Sequence, residues 1–195
     1  FLEKEGGKLK VDEKHYYFIR ERFNNEFNSF DKLFINRASF NGLMRFNKKG
    51  GFNTPFCKKT ERFSKSYITK ICNQVKNIQN LINVNDYTFI CEDFNYIINL
   101  SNNNDLIYCD PPYIDRSSDY FTSWNEECEF KLYESLLKVD SKFLLSTWYK
   151  TKHRENKYVD ILWSKFNINE INHFYHLGAK EKNRNFVTEL IVKNY

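Results

Sequence analysis

The chain has 195 residues, 41% of them hydrophobic and 18% aromatic, which is enough for one domain with a real core, or one domain plus a small appendage, and excludes a disordered tail. A mean hydropathy of -0.68, and the lack of any uncharged apolar run near the roughly 20 residues a spanning helix needs, exclude a helical membrane span. Net charge is +5, and between Arg37 and Lys70 nine Lys or Arg face the single acid Glu61, a balance that suits a polyanionic partner or a solvated basic surface.

The chain opens on Phe1, and the segment that follows is charged and amphipathic, without the basic start, apolar block and small-residue cleavage site of a signal peptide. We read this as an internal start, with Gly6-Gly7 in a polar loop. Tyr16, Tyr17, Ile19, Phe23 and Phe27 recur at helical spacing and predict a helix from Asp12 to about Ser29, continued over Asp31 to Asn36. Gly42, Gly50, Gly51 and Pro55 break that pattern, so Ser39 to Lys59 reads as loops and tight turns, the least regular and most basic part of the chain.

Apolar residues from Tyr67 to Ile82 share one face of a predicted helix over Ser66 to Ile82. Strand-length apolar runs follow at Tyr87 to Cys91, Leu106 to Cys109, Phe143 to Ser146 and Phe186 to Val192. Helical segments lie between them, near Phe94 to Leu100, Glu126 to Val139 and Tyr158 to Phe166. This alternation predicts an α/β, mostly parallel sheet, with the site formed by loops at the carboxyl ends of the strands. The five cysteines, at 57, 72, 91, 109 and 128, form no Cys-x-x-Cys pair. They point away from structural zinc and disulfides and toward a reducing, cytoplasmic setting.

Directly after the run Leu106 to Cys109 stands Asp110-Pro111-Pro112-Tyr113. A strand leading into this sequence puts a carboxylate and a proline-stiffened backbone at the edge where α/β proteins bind ligands. An Asp-capped turn is the plain alternative. An aryl amine is a poor nucleophile because its lone pair is delocalised into the ring. Two acceptors aimed at its two hydrogens, the Asp110 carboxylate and the Pro111 carbonyl, favour a nitrogen whose lone pair is free to attack. Pro112 fixes the direction of that carbonyl. Tyr113 offers a flat face for a base, which can reach such a pocket only by leaving the duplex. Cys109 reads as a buried strand residue.

Asp-Pro-Pro-Tyr after a strand resembles the catalytic motif of S-adenosylmethionine-dependent amino-methyltransferases, and its leading Asp is most similar to the adenine-N6 DNA enzymes. Phe40-Asn41-Gly42-Leu43-Met44-Arg45-Phe46-Asn47 with Gly51-Phe52-Asn53-Thr54-Pro55-Phe56 resembles the target-recognition segment of the Dam family, whose members methylate adenine in GATC. Cys91-Glu92-Asp93-Phe94 is similar to that family's strand-end motif beside the cofactor. Leu145-Ser146-Thr147-Trp148, His173-Phe174-Tyr175-His176, and Arg184 with Glu189-Leu190 resemble the branch found in restriction-modification systems.

The resemblance implies a partial Rossmann-like sheet with an inserted, mostly helical and loop-rich DNA-recognition region. Residues 1–65 would form the recognition region and residues 66–195 the catalytic one. Asp110, Pro111, Pro112 and Tyr113 would be catalytic. Asp93, Phe94, Asp110 and Phe121 would hold S-adenosylmethionine, with no metal. Phe40 and Asn41 would insert at the vacated base pair, Arg45 would read guanine, and Leu43 and Pro55 would touch base edges, with Asn47, Lys48 and Lys49 completing the contact to DNA. Phe52 and Phe56 read as packing residues. The implied partner is double-stranded DNA containing GATC, with a cognate restriction endonuclease acting on the same site and no membrane association. The family's Phe-x-Gly-x-Gly cofactor loop, its acidic ribose ligand and its early lysine are not found. We therefore expect a fragment that by itself binds cofactor weakly and is poorly active. A DNA-binding remnant without catalysis, and an enzyme acting on RNA or a protein amide, are the competing expectations.

Overall fold

In the computed structural model, which describes residues 1–115, 124–174 and 186–195, the chain forms two compact units, one running from Phe1 to Phe89 and the other from Ile90 to Tyr195.

The first unit is helical. It contains α1 (Leu2–Val11), α2 (Lys14–Glu26), α3 (Ser29–Ala38) and α4 (Lys65–Val84), with short 3-10 turns at Phe40–Gly42 and Thr60–Phe63. Its core is largely aromatic: Tyr16 and Phe23 of α2, Phe34 of α3, and Phe52, Phe56 and Phe63 from the connecting segment are all buried. The α2–α3 junction is built locally. Phe27 ends α2 in a left-handed conformation (φ 51°), and Asn28 caps α3 by accepting from the N–H groups of Phe30 and Asp31. Arg22 then reaches the buried Asp31 with two hydrogen bonds, at 2.7 and 2.6 Å, a bidentate pairing that fixes the angle between the helices.

Three expectations change here. Gly6 and Gly7 lie inside α1 rather than in a loop; at Gly6 the close approach of Phe63 needs a residue without a side chain, whereas a side chain at Gly7 would meet nothing within 4 Å. The helix over Ser66 to Ile82 forms as α4, but none of its residues is fully buried. Ile68 and Ile71 pack against the core, while Val75, Ile78 and Leu81 stay exposed. Tyr87 to Cys91 forms no strand. Its apolar residues Tyr87, Phe89 and Ile90 are exposed, so burial gives the run no reason to enter a ladder.

The second unit is α/β. It holds α5 (Phe94–Asn99), β1 (Leu106–Cys109), α6 (Glu126–Leu137), β2 (Lys142–Thr151), a single π-helical turn at Val159–Trp163, β3 (Asn167–Phe174) and β4 (Phe186–Lys193). The strands form one sheet in the order β1-β2-β4-β3. Among the described residues only β1 and β2 are parallel, whereas β4 runs antiparallel to both β2 and β3. The sheet is therefore mixed rather than mostly parallel. The polar Asn167-Ile168-Asn169-Glu170 stretch gave no strand signal, yet it pairs residue for residue with β4. Phe143 and Leu145 of β2, Leu190 and Val192 of β4, and Leu132 and Leu136 of α6 bury their side chains with Trp163 to form the core.

Candidate active site and nucleic-acid interface

The Asp-Pro-Pro-Tyr sequence sits where the strand pattern puts it. β1 ends at Cys109, whose register partner is Leu145, so Asp110 comes alongside Ser146. The Ser146 hydroxyl donates to Asp110 Oδ1 at 2.7 Å. Asp110 is exposed, and Pro111, Pro112 and Tyr113 are half-buried. The loop beyond them is held by β2 and its continuation. Trp148 Nε1 donates to the carbonyl of the buried Ile114 at 2.7 Å, and Arg154 donates to the carbonyl of Asp115 at 3.3 Å, where the chain turns through φ 58°. The motif is thus clamped on both sides by the strand next to it.

Asp110 and Pro111 border an open cleft of about 290 Å³. Its other walls are apolar or aromatic: Phe94, Ile97 and Ile98 of α5, the β1 residues Ile107 to Cys109, Leu132 of α6, and Trp124. Phe94 and Trp124 stand with ring centroids 5.6 Å apart. Trp124 is itself anchored, for its Nε1 donates to Glu129 at 2.6 Å, and Trp163 Nε1 donates to the other Glu129 oxygen at 3.0 Å. Burial pushes the Glu129 carboxyl above the usual carboxylate range, against the opposing pull of the two indoles. Cys109 is half-buried, and burial pushes its thiol up to about 11, which leaves it un-ionised near neutral pH.

Of the residues expected around a cofactor, Phe94 lines the cleft. Asp93 instead caps α5, accepting from the Asn95 N–H at 2.9 Å, and pairs with Lys131 at 3.0 Å. The Lys131 hydrogen bond, helped by that N–H, holds its carboxyl below the usual range. Lys131 also lies 5.3 Å from the Phe94 ring. Phe121, Tyr175, His176 and Arg184 lie outside the described residues. Ser146, Trp124 and Glu129 carried no assignment in the sequence reading. Only the register of β1 on β2 reveals Ser146, and only the tertiary burial of Glu129 reveals the other two.

The segment from Ser39 to Cys57 belongs to the first unit and is a pinned hairpin rather than an irregular loop. Bridges join Ser39 to Phe56 and Phe46 to Phe52. Along the returning arm, Phe52, Thr54 and Phe56 are buried while Pro55 is exposed, the alternation of a half-buried strand. α2 grips the buried side: the Tyr16 hydroxyl donates to the Thr54 carbonyl at 2.7 Å, and Asn24 bonds both the N–H and the carbonyl of Phe52. Burial raises the Tyr16 hydroxyl's pKa, keeping it a donor. The packing expected of Phe52 and Phe56 is what the structure shows.

On the outer side Phe40, Asn41, Leu43, Arg45, Lys48, Lys49 and Pro55 are exposed. Asn41 turns through φ 53° and Gly42 through φ 68°. Asn47 is committed to its own turn, for its side-chain oxygen accepts from Lys49 N at 2.9 Å and Gly51 N at 3.0 Å. Arg62 serves the fold: its guanidinium donates to the carbonyls of Arg37 and Ser39, both at 3.1 Å. The exposed charge on and beside the hairpin is therefore Arg45, Lys48, Lys49, Lys58 and Lys59.

This unit, a mixed α/β sheet with Asp-Pro-Pro-Tyr at the carboxyl end of a strand beside an aromatic cleft, is consistent with a methyltransferase fold. The chain belongs to the D12 class N6 adenine-specific DNA methyltransferase family, whose model matches residues 2–177. It is 30% identical to the type II methyltransferase M.FokI of Planomicrobium okeanokoites over 98% of this chain and 30% of that protein. It is 28% identical to the type II methyltransferase M.MjaIII of Methanocaldococcus jannaschii over 96% of this chain and 68% of that one. To a DNA adenine methylase of Vibrio cholerae it is 36% identical over 56% of this chain and 38% of the relative. It thus spans less than a third of the length of M.FokI.

Proposed function

We propose that this chain carries the target-recognition and catalytic parts of a DNA methyltransferase that moves a methyl group from S-adenosylmethionine to N6 of adenine, with GATC as the site. The observation that carries the reading is the anchored motif: Asp110 at the end of β1, fixed through one oxygen by Ser146, at the mouth of an aromatic cleft. The flipped adenine donates one amino hydrogen to the free oxygen of Asp110 and the other to the Pro111 carbonyl, while Tyr113 stacks on its ring. Holding both hydrogens in this way directs the nitrogen lone pair out of the ring plane. Once it carries the methyl group the nitrogen is cationic and releases one of its two protons, and Asp110 is the group beside it to accept that proton.

The apolar cleft with Phe94 and Trp124 on its walls fits a flat purine, and the Asp110 carboxylate at its edge fits a cationic neighbour, so the residues present suit S-adenosylmethionine. When bound, that cofactor supplies an electrophilic methyl on a positively charged sulfur. Asp93 and Phe94 would lie against its adenosine, and Phe121 is assigned there as well. No metal is required, because the electrophile carries its own activation.

Functionally we divide the chain into a recognition region, 1–65, followed in sequence by a Rossmann-like catalytic region, 66–195. Phe40 and Asn41 fill the gap left by the flipped base, Arg45 reads guanine, Leu43 and Pro55 meet base edges, and Lys48 and Lys49 meet phosphates. Asn47 contributes by holding the turn that presents those lysines. Several relatives bear type II methyltransferase names, which supports pairing with a restriction endonuclease of the same specificity.

The test is transfer of labelled methyl from S-adenosylmethionine to a GATC duplex and to a scrambled duplex. Asp110→Ala should abolish transfer and leave duplex binding intact. Binding to duplex DNA without transfer, both by this chain and by a version extended at its N-terminus with the family's cofactor loop, would favour a DNA-binding remnant.

A further inference from the structure

We propose that Asn53 sets specificity in the recognition hairpin by orienting Arg45 so that its two terminal nitrogens, and not Nε, meet the edge of a guanine. The inference rests on the reading above that this hairpin contacts DNA bases through Arg45.

Arg45 and Asn53 face each other across the hairpin, with Asn53 N donating to the Arg45 carbonyl at 3.0 Å. Their side chains are joined as well: Arg45 Nε donates to Asn53 Oδ1 at 3.0 Å. Chemistry fixes the direction of this bond, since a guanidinium nitrogen only donates and the amide must turn its oxygen toward it. A guanidinium can present two bidentate edges, one formed by Nε with a terminal nitrogen and one by the two terminal nitrogens. Asn53 occupies Nε, so the terminal edge is the one left for the N7 and O6 acceptors of guanine.

The platform beneath this pair is rigid. Phe52 and Thr54, on either side of Asn53, are buried at 1% exposure each. Asn24 holds the Phe52 backbone through both its polar groups. Thr54 Oγ1 donates to the Leu43 carbonyl at 2.9 Å and accepts from Arg45 N at 3.3 Å. A free arginine side chain samples many rotamers. The Asn53 bond removes part of that freedom before DNA arrives, so less is lost on binding.

The experiment measures binding of the chain to a GATC duplex and to one with 7-deazaguanine in place of the core guanine, which lacks the N7 acceptor. A full bidentate base contact corresponds to about 5- to 150-fold discrimination; because 7-deazaguanine keeps O6, the discrimination should lie at the lower end of that range, and Arg45→Ala should abolish it. Asn53→Ala should lower the discrimination by roughly three- to ten-fold, with the thermal midpoint unchanged. Asn53→Asp, which keeps the acceptor, should retain the discrimination even where its charge weakens binding to every duplex. In the free chain, the Arg45 Nε–H should exchange with water more slowly in the wild type than in Asn53→Ala, as read by nitrogen-15 NMR.

Equal exchange in the two proteins overturns the proposal whatever the DNA result. A uniform loss on both duplexes with discrimination intact in Asn53→Ala assigns Asn53 to the phosphate backbone and also overturns it. If Arg45→Ala leaves discrimination unchanged, the base-reading role of the hairpin fails, and with it the proposal. If Arg45→Ala acts and Asn53→Ala does not, only the inference about Asn53 fails.

Discussion

Asp110 is exposed, yet one of its oxygens is committed: the Ser146 hydroxyl holds Oδ1 at 2.7 Å and so aims Oδ2. A hydrogen bond to a charged group contributes about 1.5 to 3 kcal/mol, and here that energy fixes a direction. Ser146→Ala should lower the rate of methyl transfer by about 10- to 100-fold while duplex affinity stays the same; an unchanged turnover number would show that Asp110 needs no such support. Glu129 makes a prediction about stability. Burial raises its pKa in the folded chain, so the folded form keeps a proton that the unfolded form, with an ordinary value near about 4.3, has released. Folded stability therefore falls as pH rises from that ordinary value through the raised one, and levels off above it. Glu129→Gln removes the titration. Urea midpoints compared across that window should decline in the wild type and stay flat in the variant, which also loses one indole hydrogen bond, about 1 to 3 kcal/mol. Parallel profiles for the two proteins would assign the pH dependence to another group.

At the scale of an element, α1 offers two neighbouring glycines with opposite expected outcomes. A Cβ on Gly6 would stand 2.5 Å from Phe63 Cβ, whereas one on Gly7 would meet nothing within 4 Å. Alanine is the better helix former by about 1 kcal/mol. At Gly6 the clash is with an atom that the backbone fixes, so the overpacking penalty of about 1 to 3 kcal/mol should win. Gly6→Ala should lower the thermal midpoint and Gly7→Ala should raise it; a rise in both would place α1 away from Phe63. The same pair shows why some elements were legible in the sequence and others were not. Leu106 to Cys109 reads as a strand because its apolar run is short and Asp110-Pro111 follows it, and β1 has those bounds. Gly6-Gly7 reads as a loop because glycine pairs usually mark one, and the Phe63 contact that overrides this at Gly6 comes from a residue far along the chain. β3 is polar and exposed over most of its length, so only its pairing with β4 makes it a strand. For the site, Asp110 was visible through its motif. Ser146 and Asn53 were not, since each depends on a register that no local pattern encodes.

Over the whole molecule, composition gives a net charge of +5 without saying which charges face a partner. The structure sorts them. Arg22 is spent on Asp31, Arg62 on two backbone carbonyls, and Arg37 donates to the Arg62 carbonyl at 3.3 Å while lying over the Tyr67 ring. Lys48 and Lys49, at the hairpin tip, are exposed and form no ion pair among the described residues. Each phosphate neutralised releases counterions, and the slope of log affinity against log salt changes by about 0.9 per contact. If both lysines meet phosphates, the double variant Lys48→Ala with Lys49→Ala should make that slope shallower by nearly 2. It should weaken binding to GATC and scrambled duplexes alike, because phosphate contacts position without specifying. Arg62→Ala should instead lower the thermal midpoint, since two buried-side carbonyls lose their donor. Titrations of duplex binding at several salt concentrations separate these effects. An unchanged slope in the lysine variant would move the phosphate-facing surface away from the hairpin tip, to Lys58 and Lys59 or beyond.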